Sequence, residues 1–287
     1  MKTGLFVGLV TLDSIYLAEH FPGSNQKIVA SDYTIAAGGP ATNAAVTFSH
    51  LGNCATLMGV VGCHPMTELI RSDLAECGVT LTDLDRDRRN LPTISSIIVT
   101  RNTAQRAVVS VNATKSQVDG TVLPPNVWQS VDIVLLDGHQ MAIGREVAIE
   151  ARERGIPVVL DGGSWKTGFD TVLPYINYAI CSENFQPPSC QNREDVFAYL
   201  NSFNISSIAI TQGENPIQVL DRGARGTIAV PSINAVDTLG AGDIFHGAFC
   251  DLILSKNFTD ALSQAAGIAA RSCQFFGTRQ WMKADLS

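Results

Sequence analysis

The chain has 287 residues, 45% of them hydrophobic, and carries 20 Lys and Arg against 27 Asp and Glu, a formal net charge of −7. Its scattered Lys and Arg form no basic stripe, so nucleic acid and a membrane surface are excluded as expected partners. No apolar run approaches the ~18 residues of a membrane span, and the length suits one large α/β domain or two medium ones.

Residues 4–10 read as a buried strand, too short and too soon followed by Asp13 to be a secretion signal, so the chain is expected in the cytoplasm. Residues 12–34 hold two short β-like segments around Pro22-Gly23-Ser24-Asn25. A helix over 40–51, a strand over 54–61 and a helix over 65–76 follow. Residues 93–100 and 106–111, joined by Arg101–Gln105, read as a β-hairpin. Strands at 131–137, 156–161, 176–181 and 206–211 are interleaved with helices at about 142–154 and 192–203. Residues 215–230 read as a hairpin at the sheet edge, and 241–255 and 258–275 as helices. The alternation predicts right-handed βαβ units: an α/β fold with a mostly parallel sheet between helices. The strands within 12–34 and 93–111 are too short to hold a core of their own. They are expected to project as a small β-sheet lid from one domain, 1–287, with an exposed face that dimerisation would cover.

Seven cysteines, none in Cys-x-x-Cys, are expected to be small core side chains in a reducing compartment, and five His without ligand spacing argue against zinc. The chemistry concentrates in Val236-Asp237-Thr238-Leu239-Gly240-Ala241-Gly242-Asp243, a glycine turn leading into an amphipathic helix. Unpaired amides at such a helix start, helped by the helix dipole, cradle an anion without Lys or Arg. Asp243 stands at the edge of that cradle. Spacing alone leaves it either a helix cap or the base for a hydroxyl that attacks a bound phosphate.

The run Asp237-Thr238-Leu239-Gly240-Ala241-Gly242-Asp243 resembles the C-terminal signature of the ribokinase (PfkB) carbohydrate kinase family. Gly38-Gly39-Pro40-Ala41-Thr42-Asn43-Ala44-Ala45, ending at Leu51-Gly52, resembles its glycine-pair signature, in the right order and at the right separation. The resemblance implies a ribokinase-like fold with a β-sheet lid. It implies transfer of the γ-phosphoryl of ATP, with Mg²⁺, to a sugar hydroxymethyl group. Asp243 would be the base, and the amides of Gly240, Ala241 and Gly242 the anion hole. Asp13, Gly39 and Asn43 would contact the sugar, with Gly38 permitting the turn. Thr211 and Gly213 would lie on the nucleotide side, and Gly277 would flank adenine. There Cys273 and its small helix neighbours Ala266, Ala269 and Ala270 either leave room for the purine or allow close helix packing.

Ligands collect at the carboxyl ends of parallel strands. Asp137-Gly138-His139 and Asp161–Lys166 end strands, so His139 would face the sugar and Lys166 a nucleotide phosphate, unless they are a turn His and a solvated Lys. The family's Asn-x-x-Glu, which orders Mg²⁺ and phosphate, is Ser182-Glu183-Asn184-Phe185 here, leaving Glu183 as the metal-side carboxylate. Within the family, Gly8-Leu9-Val10 with Leu12-Asp13 is similar to ketohexokinases. Gly38–Thr42 and Asp243–Ala248 are similar to bacterial kinases of modified fructose, including sulfofructose kinase. Lys27 and Asn112 align with sulfonate contacts of the latter, while the expected Arg is His139, so a neutral ketose fits as well as an acidic one. A nucleoside kinase of the same fold and a non-catalytic sugar-binding protein remain open alternatives. A dinucleotide site is excluded because no Gly-x-Gly-x-x-Gly follows the first strand.

Overall fold

The structure, a computed structural model, describes residues 1–111, 117–119, 123–124 and 126–284; Asn112 lies outside the described residues. Among those described, nine strands form one sheet. They are β1 (Thr3–Val7), β4 (Cys54–Gly59), β5 (Val79–Asp83), β8 (Ile133–Leu136), β9 (Val158–Gly162), β10 (Tyr178–Ser182), β11 (Ser207–Gln212), β12 (Asn215–Asp221) and β13 (Ala224–Ile228). Their order is β13-β12-β11-β10-β9-β8-β1-β4-β5, parallel from β11 to β5, with β12 and β13 added antiparallel as the expected edge hairpin. The chain runs outward from β1 through β4 to β5, and outward from β8 through β11 on the other side. The switch point therefore lies between β1 and β8, where a crevice opens beyond the strand ends.

Each strand is apolar on both faces because helices cover both. On one face Phe6, Leu57, Leu135, Val159 and Ile180 pack under four helices. These are α1 (Pro40–His50), α2 (Thr67–Glu76), α6 (Ala241–Ile253) and α7 (Phe258–Ser272). On the other face Leu5, Val7, Leu136 and Leu160 pack under α3 (Met141–Glu153), α4 (Phe169–Val172) and α5 (Arg193–Asn201). A last helix, α8, spans Gln280–Lys283. No helix of the described residues is long and apolar enough to cross a membrane.

The lid is a four-stranded sheet ordered β3-β2-β6-β7, from β2 (Thr11–Ala18), β3 (Asp32–Gly38), β6 (Ile94–Thr100) and β7 (Arg106–Ser110). β3 extends past residue 34 to Gly38, so the lid runs directly into the turn that opens α1. Strand alternation sorts its two faces. Ile15, Leu17, Ile97 and Val99 point inward onto Phe276 and Leu239. Tyr16 and Tyr33, directly opposite each other, point outward with Ile35 and Val109.

Two short elements escape the periodicity of the sequence. β5 has only two buried residues and no continuous apolar run, and α8 is a single turn. Cysteines also depart from expectation. All seven are free thiols, but only Cys181, Cys250 and Cys273 are buried, while Cys54 and Cys63 are exposed at the ends of loops.

α1 and α6, which carry Asn43 and Asp243, are held at close approach by Gly247. A methyl group there would lie 2.3 Å from the Ala44 carbonyl oxygen. Gly247→Ala is therefore expected to cost about 1–3 kcal/mol in chemical denaturation despite the better helix propensity of Ala. An unchanged or raised midpoint would show that the two helices yield freely.

Candidate active site

Asp137 organises the crevice between β1 and β8. Its Oδ2 accepts from the amides of Leu9 (2.9 Å) and Ala41 (3.1 Å), and its Oδ1 from the His139 amide (2.9 Å). One buried carboxylate thus fixes the end of β1, caps α1 and holds its own turn. Burial opposes its charge. The His139 ring, with Nδ1 3.2 Å from Oδ1, and the surrounding amides outweigh burial and hold Asp137 down to about 2. His139 is therefore at the crevice as expected, but its ring turns to Asp137.

Beside it, Gly240 caps α6 in the left-handed conformation (φ 72°), which turns the chain so that the first helical amides point outward. Among the described residues, the amides of Gly240, Gly242 and Asp243 have no protein acceptor. The expected cradle was Gly240, Ala241 and Gly242. The Ala241 amide instead reaches back to Thr238 O at 3.3 Å, and the Asp243 amide takes its place among the open donors. The turn is fixed from behind. Asp237 accepts from the amides of Leu239 and Gly277, both at 2.8 Å, and Arg106 of the lid donates to Thr238 O and Oγ1 at 3.1 and 2.9 Å.

The Asp243 carboxylate, in the first turn of α6, is partly exposed, and its Oδ2 accepts from Asn43 Nδ2 at 2.8 Å. Asp161, from the end of β9, faces the same helix. Its Oδ2 makes no hydrogen bond and lies 3.6 Å from His246 Nδ1. Both His246 ring nitrogens face oxygen atoms, Nδ1 the Gly242 carbonyl at 2.7 Å and Nε2 the Ile180 carbonyl at 3.1 Å, so the ring bolts the start of α6 to β10. Burial, and next the Asp161 charge, push Asp243 up to about 7 against the Asn43 amide and His246. Two carboxylates of the same crevice, Asp137 after β8 and Asp243 in α6, thus divide. Asp137 stays ionised, and Asp243 holds or releases a proton near neutrality, the separation by which acid–base roles are assigned.

Asp13 lies on β2 at the hinge of the lid. It is buried over Gly38 and accepts from Thr11 Oγ1 at 2.7 Å; burial pushes its carboxyl up. Gly39 directly precedes α1 and accepts from the Asn43 amide at 2.9 Å. Asp13, Gly38, Gly39, Asn43 and Asp243 are therefore brought together, through contacts around the Gly38-Gly39 turn where the lid strand β3 runs into α1.

Residues expected on the nucleotide side are more dispersed. Thr211 ends β11, where its carbonyl accepts from the Glu183 amide (3.0 Å), and Gly213 turns into β12 with φ 59°. Lys166 stacks over Phe169 at 5.4 Å; burial pushes the nearby Asp161 carboxyl up, and the His246 and Lys166 charges only partly offset it. Glu183 is exposed at the end of β10. Among the described residues no three Asp, Glu, His or Cys side chains converge as a metal cage. This set suits Mg²⁺ carried by nucleotide phosphates and water with at most one protein carboxylate. Two residues depart from their expected places. Gly277 is buried against Thr34 of the lid, and Cys273 is a buried cap whose carbonyl accepts from the amides of Val236 and Asp237. Lys27 is exposed between β2 and β3, without a partner among the described residues.

Sequence reading passed over Asp137, Asp161, His246, Arg106 and Arg279. The two aspartates end apolar strands and His246 lies one turn after Asp243, which are usable signals; the two arginines carry none.

Comparison with known proteins bears on this arrangement. The profile of the pfkB family carbohydrate kinase matches residues 1–284. A ribokinase of Haemophilus influenzae is 22% identical over 94% of this chain and 92% of its own length. An adenosine kinase of Schizosaccharomyces pombe is 24% identical over 91% of this chain and 82% of its own. The crystal structure of a putative ribokinase from Agrobacterium tumefaciens superposes with a TM-score of 0.86 at 24% identity, covering 99% of this chain and 98% of that one. The fold is therefore ribokinase-like: a large mostly parallel sheet, flanking helices and a small lid sheet.

A raised carboxyl also makes a stability prediction. Asp243 binds its proton to about pH 7 when folded and to about 3.8 when unfolded, so its cost to folding grows between those values and is constant above them. Asp243→Asn should raise the melting temperature at pH 8 by roughly 2–6 °C, with the gain gone at pH 4. An equal gain at both pH values would mean that Asp243 titrates normally.

Proposed function

This chain belongs to the pfkB family of carbohydrate kinases, and we propose that it transfers the γ-phosphoryl of ATP to a hydroxymethyl group of a ketose or modified fructose, with Asp243 as the base. One observation carries the reading. The Asp243 carboxylate and three open amides, of Gly240, Gly242 and Asp243 itself, share a single helix turn at the recess.

The substrate alcohol lies between that carboxylate and the phosphate held on the amides. Its oxygen attacks the γ-phosphorus, the bond to the β,γ-bridging oxygen breaks, and the hydroxyl proton passes to Asp243. The amides and the helix dipole offset charge on the migrating phosphoryl group. Asp13, an acceptor, and the Asn43 amide, a donor, suit hydroxyl groups of a polyol. Mg²⁺, when bound, neutralises phosphate charge, and Glu183 is the carboxylate that would hold it. His139 occupies the position where an acid-binding Arg would be needed, and its tie to Asp137 favours a neutral sugar. The lid excludes water over the recess, latched by Arg106 on Thr238. The cytoplasm, reducing and rich in ATP, is the compartment that accords with seven free thiols. A nucleoside kinase is the second reading, favoured by the adenosine kinase relative.

ATP turnover across ketoses, aldoses and nucleosides tests this. A ketohexose should be the preferred acceptor, and Asp243→Asn should bind it while losing about 10²–10⁴ in kcat. Preference for adenosine would select the second reading. Binding of a sugar without turnover would make the chain a sugar-binding protein.

The outer lid face, with Tyr33 69% and Val109 76% exposed, supports a homodimer that buries it. Sedimentation should give a dimer, and a Tyr33→Glu, Ile35→Glu variant a folded monomer. A monomeric parent chain removes this part of the proposal.

A further inference from the structure

Asn43 presents Asp243 with one end of a carboxamide whose ends are chemically opposite. Its NH₂ stabilises an ionised carboxylate, whereas its oxygen is repelled by one and accepts only from a protonated carboxyl. Nothing in Asn43 itself selects the end. The selection comes from the other side of the residue. Arg279 Nη1 stands 3.0 Å from Asn43 Oδ1, and a guanidinium can only donate. The oxygen is thereby committed to Arg279 and the NH₂ to Asp243, at 2.8 Å.

Arg279 is built to hold that line. Nη2 donates to Ala37 O at 2.6 Å and to Asp73 Oδ2 at 3.1 Å, while Nη1 also donates to Thr278 Oγ1 at 3.0 Å. Asp73, on α2, accepts in addition from the Ala37 amide at 3.0 Å, so the guanidinium is pinned to β3 just before the Gly38-Gly39 turn. The Arg279 side chain is largely buried. A long, costly side chain is ordered here on the Asn43 carboxamide, the Asp73 carboxylate, the Thr278 hydroxyl and the Ala37 peptide oxygen, with its Nε left without a hydrogen bond.

We propose that Arg279 is a positioning residue for phosphoryl transfer, which locks the Asn43 carboxamide with its NH₂ toward Asp243 and lets Asn43 meet substrate only as a hydrogen-bond donor. The role of Asn43 toward substrate rests on the function proposed above; the locking of Asp243 does not. Without Arg279 the amide is free to rotate. Its oxygen then accepts from protonated Asp243, the proton is held more tightly, and the base becomes available only at higher pH. Asp243 is otherwise faced by Asp161 from β9, Asp137 from β8 and His246 from its own helix. Arg279 is faced by Asp73 and Cys77 from the α2 side and by Asp13 from β2. All of these stay in place in the variants below, except that Asp73 is itself replaced in one of them.

The test is the ¹³C titration of the Asp243 carboxyl, assigned against Asp243→Asn, alongside the pH profile of kcat/KM. Arg279→Met should move the titration midpoint and the acid limb of the profile up together by about 0.5–1 pH unit, the scale of one charge-assisted hydrogen bond. In an Asn43→Ala background the same substitution should move the midpoint no further, because Arg279 acts through Asn43. Arg279→Lys, which keeps the charge and one donor, should recover part of the shift. Should Arg279→Met fold poorly, Asp73→Asn, which loosens the guanidinium, should give a smaller shift in the same direction. A midpoint unmoved by Arg279→Met, with the rate reduced equally at every pH, would overturn the proposal. So would a full shift persisting in the Asn43→Ala background, which would make Arg279 a distant charge only. A shifted midpoint in a chain that phosphorylates no sugar or nucleoside would keep the lock and remove the function.

Discussion

On the function proposed above, a carboxylate takes a proton beside a bound phosphate, two negative charges at one site, and the surrounding residues can be read around that conflict. Coulomb repulsion in a partly desolvated crevice is strong enough to decide which acid stays charged. Here Asp137 is anchored by amides and the His139 ring, down to about 2, while Asp243 is left to burial and to the Asp161 charge and rises to about 7. The difference comes from burial and from the charged and polar groups that face each carboxylate, the His139 ring and amides for Asp137 and the Asp161 charge for Asp243, not from the carboxylates themselves.

The fold supplies those groups because several chain ends meet at the switch point. β1, β8 and α1 are stitched by one Asp137 side chain, and α6 arrives over them carrying a turn of open amides. Gly247 sets how closely α1 and α6 approach, which in turn sets the 2.8 Å contact between Asn43 and Asp243. The C-terminal segment closes the ring, through the Gly277 amide on Asp237 and Arg279 on Asn43. The turn before α6, Asn43 on α1 and the C-terminal segment are therefore one hydrogen-bonded assembly, so Arg279 is connected to Asp243 through Asn43 without touching it.

Much of this was legible in the chain. Strands buried on both faces read as apolar runs, and helices between them read by their period, so the parallel sheet, the edge hairpin and the lid followed from pattern alone. β5 did not, because an edge strand with only two of its five residues buried has neither signal. The Gly240–Asp243 turn was legible as an anion cradle through its glycines at a helix start, while a role for Asp243 beyond capping comes only from the family resemblance. Which amides stay open was not: the Ala241 amide folds back on Thr238, a matter of one torsion. Small residues look alike in sequence whether they border a ligand or a packed neighbour, so sequence leaves Cys273 open between a purine and close helix packing; in the fold its carbonyl accepts from the amides of Val236 and Asp237. Arg279 was invisible for a different reason. Its partner stands 236 positions away, and no local pattern records a contact at that distance.

The account is tested most directly by a crystal structure with ADP, aluminium fluoride, Mg²⁺ and the preferred sugar, which mimics the phosphoryl group in flight. The amides of Gly240, Gly242 and Asp243 should lie about 2.7–3.1 Å from fluoride atoms, with an Asp243 oxygen in hydrogen-bond contact with the attacking hydroxyl. A fluoride group seated elsewhere, or an Asp243 carboxylate turned away from every sugar oxygen, would contradict it.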